Sequence, residues 1–143
     1  MRPILVVEDS DDDVLFLRRT IDQIGLANPV DVVVDGQKAI DYLQKVAVNP
    51  DRERFPMPAL VLLDLRLPLL SGLEVLKWIR SQEAFKSLVV VVLSSSILDQ
   101  DVGLAYRLGA NSYLRKTSSS EQLRKMMHLV KEYWLELNTE AGV

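Results

Sequence analysis

Leu60-Val61-Leu62-Leu63-Asp64-Leu65-Arg66-Leu67-Pro68 is the stretch that decides the fold. Four apolar residues run straight into an aspartate, and a proline follows four positions on. A short unbroken apolar run suits a strand buried on both faces, as in the middle of a parallel sheet. Asp64 then stands at the carboxyl end of that strand, where open α/β sheets collect their ligands. A carboxylate placed there needs partners, because an unpaired buried charge is very costly.

The same pattern recurs on both sides of this strand. Ile4-Leu5-Val6-Val7 reads as a first buried strand, closed by Glu8 and Asp9. Ser10 and the acids Asp11, Asp12 and Asp13 open a helix whose Val14, Leu17, Ile21 and Ile24 form one apolar stripe, with Gly25 as its stop. The three acids suit capping and the helix dipole in a first turn. Residues 30–34 make a second short strand, Asp35-Gly36 a turn, and a helix follows with Ile40 and Leu43 inward.

Residues 47–58 are polar and carry Pro50, Pro56 and Pro58. As a linker they would separate two fragments each too small to fold, so they read as a long surface loop. After the central strand, Ser71-Gly72 turns the chain into a third helix with Leu73, Leu76 and Ile79 facing in. A fourth strand at 89–93 ends in Ser94-Ser95-Ser96, and a helix over about 99–108 precedes Gly109. Residues 113–116 form a fifth strand. The last helix, about 120–137, carries a heptad-like stripe of Leu123, Met127, Val130, Trp134 and Leu137.

The chain has 143 residues, nearly half of them apolar, enough for one domain over 1–143 with a substantial core. It has no cysteine, which excludes disulfides, thiolate catalysis and cysteine-held metals. A net charge of −3 provides no basic footprint for nucleic acid or an anionic membrane. No stretch approaches the roughly 20 apolar residues of a membrane span. A soluble, cytoplasmic protein is expected.

Strand and helix alternate five times, which implies a parallel sheet with helices on both faces. In a doubly wound order 2-1-3-4-5, the strands ending in Glu8-Asp9, Asp64, Ser94 and Lys116 are consecutive neighbours. Adjacent strands lie about 4.8 Å apart, so these groups can meet in one crevice. Three carboxylates that close repel one another unless a cation screens them. Oxygen-only ligands favour a hard ion, and Mg²⁺ suits best. A carboxylate nucleophile beside Mg²⁺, a hydroxyl and a lysine makes a phosphoryl-transfer site whose product is an aspartyl phosphate.

Leu5-Val6-Val7-Glu8-Asp9, then Val61-Leu62-Leu63-Asp64-Leu65-Arg66-Leu67-Pro68 with Gly72, then Val92-Leu93-Ser94-Ser95 and Tyr113-Leu114-Arg115-Lys116 resemble the receiver domain of bacterial response regulators. The resemblance covers essentially the whole chain and implies a flavodoxin-like (βα)5 receiver fold. It implies that Asp64 accepts a phosphoryl group from a histidine kinase. Glu8, Asp9, Asp64 and the backbone carbonyl of Arg66 would hold Mg²⁺, with Lys116 pairing the phosphate and Ser94 as the switch hydroxyl. Tyr113 would swing inward as Ser94 moves; the plainer reading is a half-buried strand tyrosine with its hydroxyl in water. Such a protein signals through contacts, and only self-phosphorylation and autodephosphorylation are expected of it as catalysis.

Three positions depart from the family pattern. Thr117 follows Lys116 where proline is usual, often after a cis bond. A cis bond to threonine costs about 3–4 kcal/mol, and the sequence leaves that geometry open. Arg66 stands where a smaller or neutral side chain is common, and could pair with the phosphoryl group. Ser94 is often threonine.

The 47–58 loop and the ending Glu132-Tyr133-Trp134-Leu135-Glu136-Leu137 resemble single-domain regulators that partner phytochrome-type histidine kinases. That resemblance suggests a homodimer through the last helix, whose Tyr133, Trp134, Leu135 and Leu137 exceed what one buried stripe needs. The alternative is a helix lying flat on the sheet with Trp134 in the core. His128 is the sole histidine and too isolated for a metal site. Two other functions compete with this reading. A small-molecule phosphohydrolase resembling the haloacid dehalogenases wants an acid two residues after the nucleophile, where Arg66 stands. A receiver-like adaptor that is never phosphorylated has no use for an intact acid, hydroxyl and lysine set.

Overall fold

Continuous apolar runs must be covered on both faces, and Ile4–Val7 (β1) and Leu60–Leu63 (β3) are buried at every residue. The computed structural model describes residues 1–141; of the domain expected over 1–143, Gly142 and Val143 lie outside the described residues. Between and after these two strands come Asp11–Gln23 (α1), Val30–Val33 (β2), Gly36–Val48 (α2) and Gly72–Ser81 (α3). A single 3₁₀ turn, Glu83–Phe85, leads to Val90–Ser94 (β4), Asp99–Arg107 (α4), Ser112–Arg115 (β5) and Ser120–Val130 (α5). The last helix continues as a wider π-helical segment, Lys131–Leu137. The strands are all parallel, in the order β2-β1-β3-β4-β5. The flavodoxin-like fold and its 2-1-3-4-5 order are therefore present.

Strand side chains alternate between two cores. Leu5, Val7, Val61, Leu63, Val90 and Val92 pack with Leu43 of α2 and with Val75, Leu76 and Ile79 of α3. Ile4, Val6, Leu60, Leu62 and Val91 pack with Leu17 and Ile21 of α1 and with Leu123, Met127 and Val130 of α5. Burying each such side chain contributes about 1.5–3 kcal/mol. Helix starts are capped as the sequence implies: Ser10, Asp35, Ser71 and Ser119 each accept an N–H three residues on. Arg52 folds the long loop back on its own helix, its Nη1 donating to the carbonyls of Val46 and Asn49 at 2.8 Å each.

Some details differ from the sequence pattern. Leu73 is only half-buried, and Val75 takes the fully buried place on α3. The stripe of the last helix holds through Val130, Trp134 is half-buried against the core, and Leu137 is 76% exposed. The cause is the change of pitch at Lys131. Bonds that reach five residues, such as Asn138 N–H to Tyr133 O at 2.7 Å, rotate later side chains off the heptad line. The Lys116–Thr117 bond is trans, as are all peptide bonds among the described residues. No helix among these residues is long and apolar enough to cross a membrane.

The segment joining β3 to α3 is held tightly. Gly72 donates its N–H to Leu65 O at 2.9 Å. A Cβ on Gly72 would stand 2.1 Å from the carbonyl oxygen of Asp64, so α3 starts directly against the backbone that carries Asp64. Leu69, 81% exposed, adopts a left-handed φ of 70°. Gly72→Ala is expected to lower stability by about 1–3 kcal/mol through overpacking, read as a lower urea midpoint at unchanged slope. Leu69→Gly is expected to raise it by about 0.5–1 kcal/mol, because relief of left-handed strain exceeds the added unfolded-chain entropy.

Candidate functional site

Ladder hydrogen bonds run one residue past the strands and fix the backbone of the site. Glu8 N–H donates to Val33 O at 3.0 Å, Asp64 N–H to Val7 O at 3.1 Å, and Lys116 N–H to Ser94 O at 2.9 Å. Glu8, Asp9 and Asp64 are thereby brought together, each offering a carboxylate oxygen within 4.8 Å of the others. Glu8 and Asp64 are each 6% exposed, while Asp9 reaches into solvent. Lys116 turns into the same crevice, its Nζ 2.5 Å from Glu8 Oε1, 2.8 Å from Asp13 Oδ2 and 3.2 Å from Asp64 Oδ2.

Burial pushes the Glu8 carboxyl up to about 7; the hydrogen bond from Lys116 opposes this and the charge of Asp64 adds to it. For Lys116 burial disfavours the ammonium, but Asp13, Glu8 and Asp64 together outweigh it and hold its pKa above the ordinary lysine value. Both pKa values are raised, which disfavours the charged form of Glu8 and favours that of Lys116: one ammonium is shared among three carboxylates, so the lysine gains more than any single acid. A second positive charge would relieve the acids. Three carboxylates without nitrogen or sulfur donors suit a hard divalent cation, and such an ion would pull Glu8 back down. The other oxygen of Glu8 accepts the Ser10 N–H at 3.2 Å.

The segment after Asp64 folds back on it, with Arg66 N–H donating to Asp64 Oδ1 at 3.3 Å and the Arg66 side chain exposed. Ser94 is fully buried and its Oγ accepts the Ser96 N–H at 3.3 Å. Tyr113 is half-buried, and its hydroxyl donates to Ser96 O at 3.1 Å, so it is neither free in water nor fully enclosed. His128 lies exposed on α5, its Nε2 3.0 Å from Glu132 Oε1.

Two participants were not evident from the sequence. Asp13 looks like any acid of a helix's first turn, and its reach to Lys116 depends on how α1 docks. Ser96 sat unremarked in a serine run, yet it is buried and donates to Asp101 Oδ2 at 2.5 Å while its backbone serves both Ser94 and Tyr113. No spacing rule marks either residue.

Known proteins resemble this chain in sequence and fold. Residues 4–128 match the response regulator receiver domain. The chain is 38% identical over 139 residues to "Probable methanogenesis regulatory protein FilR2" of Methanothrix harundinacea, covering 97% of this chain and 87% of the relative. It is 35% identical over 136 residues to the response regulator Rcp1 of Synechocystis sp., covering 95% and 90%. Among solved structures, the phosphorylated cyanobacterial phytochrome response regulator RcpA superposes with a TM-score of 0.86 at 33% identity over 99% of each chain. RPA3017, a response regulator in red light signaling of R. palustris, gives 0.89 at 30% identity over 100% of each. With residues 4–128 matched by the family and relatives covered nearly end to end, the chain belongs to the response regulator receiver domain family and is closely related to the phytochrome response regulators.

Proposed function

We propose that this chain is a stand-alone phosphorelay response regulator, one receiver domain over 1–143, in which Asp64 accepts a phosphoryl group from a sensor histidine kinase. The observation that carries the reading is the convergence of Glu8, Asp9 and Asp64 within 4.8 Å, with Lys116 Nζ 3.2 Å from Asp64 Oδ2. Glu8, Asp9, Asp64 and the carbonyl of Arg66 would hold Mg²⁺. A bound Mg²⁺ supplies charge neutralisation at the phosphoryl oxygens and screens the acids from one another. An oxygen of Asp64 attacks phosphorus as the N–P bond of a phosphohistidine breaks and the imidazole takes up a proton. Lys116 pairs a phosphoryl oxygen, and Ser94 donates a hydrogen bond to another. A turn of Ser94 toward the phosphoryl group would release the Ser96 N–H, and Tyr113, bonded to the Ser96 carbonyl, would follow. That gives a two-state element biased by a local charge.

Relatives support the finer points. The response regulator Rcp1 has been solved with Mn²⁺ bound, and the cyanobacterial phytochrome response regulator RcpA in phosphorylated form. These relatives favour a phytochrome-type kinase as the donor, with the cytoplasm as the proposed site of action. Leu129, Tyr133 and Leu137 are all exposed on the last helix, four residues apart, and they favour a homodimer through that helix.

Incubation with Mg²⁺ and acetyl phosphate is expected to add the mass of one phosphoryl group, lost with Asp64→Asn or with a chelator. No mass gain in the intact chain would return the case to an unphosphorylated adaptor. In a phosphotransfer panel scored by rate, a phytochrome-type kinase is expected to donate fastest. Sedimentation is expected to show a dimer at micromolar concentration, reduced to monomer by Tyr133→Ala combined with Leu137→Glu; a wild-type monomer would discard the interface.

A further inference from the structure

Asp13 belongs to no metal-ligand set proposed above, yet its Oδ2 is 2.8 Å from Lys116 Nζ, closer than Asp64 Oδ2 at 3.2 Å. Both ends of this contact are anchored. Ser10 Oγ accepts the Asp13 N–H at 3.3 Å in the first turn of α1, and Lys116 N–H is held by Ser94 O at 2.9 Å. Favouring the helix dipole does not require an acid to reach another element. Asp11 and Asp12, its neighbours in the same turn, are exposed, and among the described residues only Asp13 of the three pairs with a cation.

Consider what the ammonium faces when the site is loaded. Glu8 and Asp64 are its other two partners, and both offer oxygens to the same divalent ion. An ammonium sharing those oxygens would compete with the ion and be repelled by it. Asp13 is the one partner of Lys116 outside the Glu8, Asp9 and Asp64 cluster. We propose that Asp13 is the positioning residue of Lys116: it keeps the ammonium beside Asp64 when Glu8 and Asp64 turn to a bound divalent cation. This rests on the site reading given under Proposed function. Without the charge of Asp13, Lys116 falls back on Glu8 and Asp64 and contests the metal's ligands.

The test is calorimetric titration of the full chain with Mg²⁺ at physiological salt, where exposed charges more than about 8 Å apart are largely screened. Asp13→Asn is expected to weaken Mg²⁺ binding about two- to fivefold, the range of a partly exposed ion pair. Asp13→Glu restores the charge and should keep most of the affinity. Asp12→Asn removes the same charge one residue away and should leave affinity unchanged. In a Lys116→Met background the effect of Asp13→Asn should vanish, because the coupling runs through the ammonium. Wild-type affinity in Asp13→Asn, equal losses from Asp12→Asn, or a loss that persists with Lys116→Met would each overturn the assignment while leaving the metal site intact. A wild-type chain that takes up no Mg²⁺ would instead overturn the site reading itself.

Discussion

One ammonium among three carboxylates holds together the charged cleft at the carboxyl end of the sheet. Glu8 and Asp64 are nearly as buried as the strands they terminate, so each carries a desolvation penalty that water does not relieve. Lys116 lowers that penalty for both at once and links the ends of β1, β3 and β5 with the first turn of α1. The compensation is incomplete, as the raised pKa of Glu8 records. A site left short of positive charge favours uptake of a cation, which the proposed phosphotransfer to Asp64 calls for.

The surroundings are stiff where position matters. Apolar strands on both sides of the sheet fix the depth of the acids, and the register places Val7 beside Leu63 and Leu63 beside Val92. The close approach of Gly72 to the backbone of Asp64 fixes its direction. On the far side of β4 the arrangement is of another kind. Ser94, Ser96, Asp101 and Tyr113 are joined by single hydrogen bonds that can be exchanged, while the Tyr113 ring also packs against the core. An Asp64 held by packing next to an exchangeable network suits the proposed switch, because a local charge can re-pair the network without disturbing the sheet.

The last helix shows how far pattern reading carries. Its first three stripe positions are buried because an α-helix keeps them on one line; Leu137 departs because the pitch changes at Lys131. Residue types alone do not announce that change. Similarly, Val75 and Leu73 are both apolar and near the start of α3, and only the angle of the helix on the sheet decides which is fully enclosed.

The chain's order of elements, the sheet topology, the acids at the strand ends and the lysine that closes the set were all legible in the sequence. Periodicity, caps and strand ends are local or nearly local properties, and the right-handed crossover rule leaves few ways to assemble them. Tertiary structure alone decided that Asp13 joins Lys116, that Ser96 ties Ser94 to Tyr113 and Asp101, and that Leu137 faces out. Each of these depends on the docking angle or pitch of a helix, set by the packing of many side chains at once, and no single stretch of sequence encodes it.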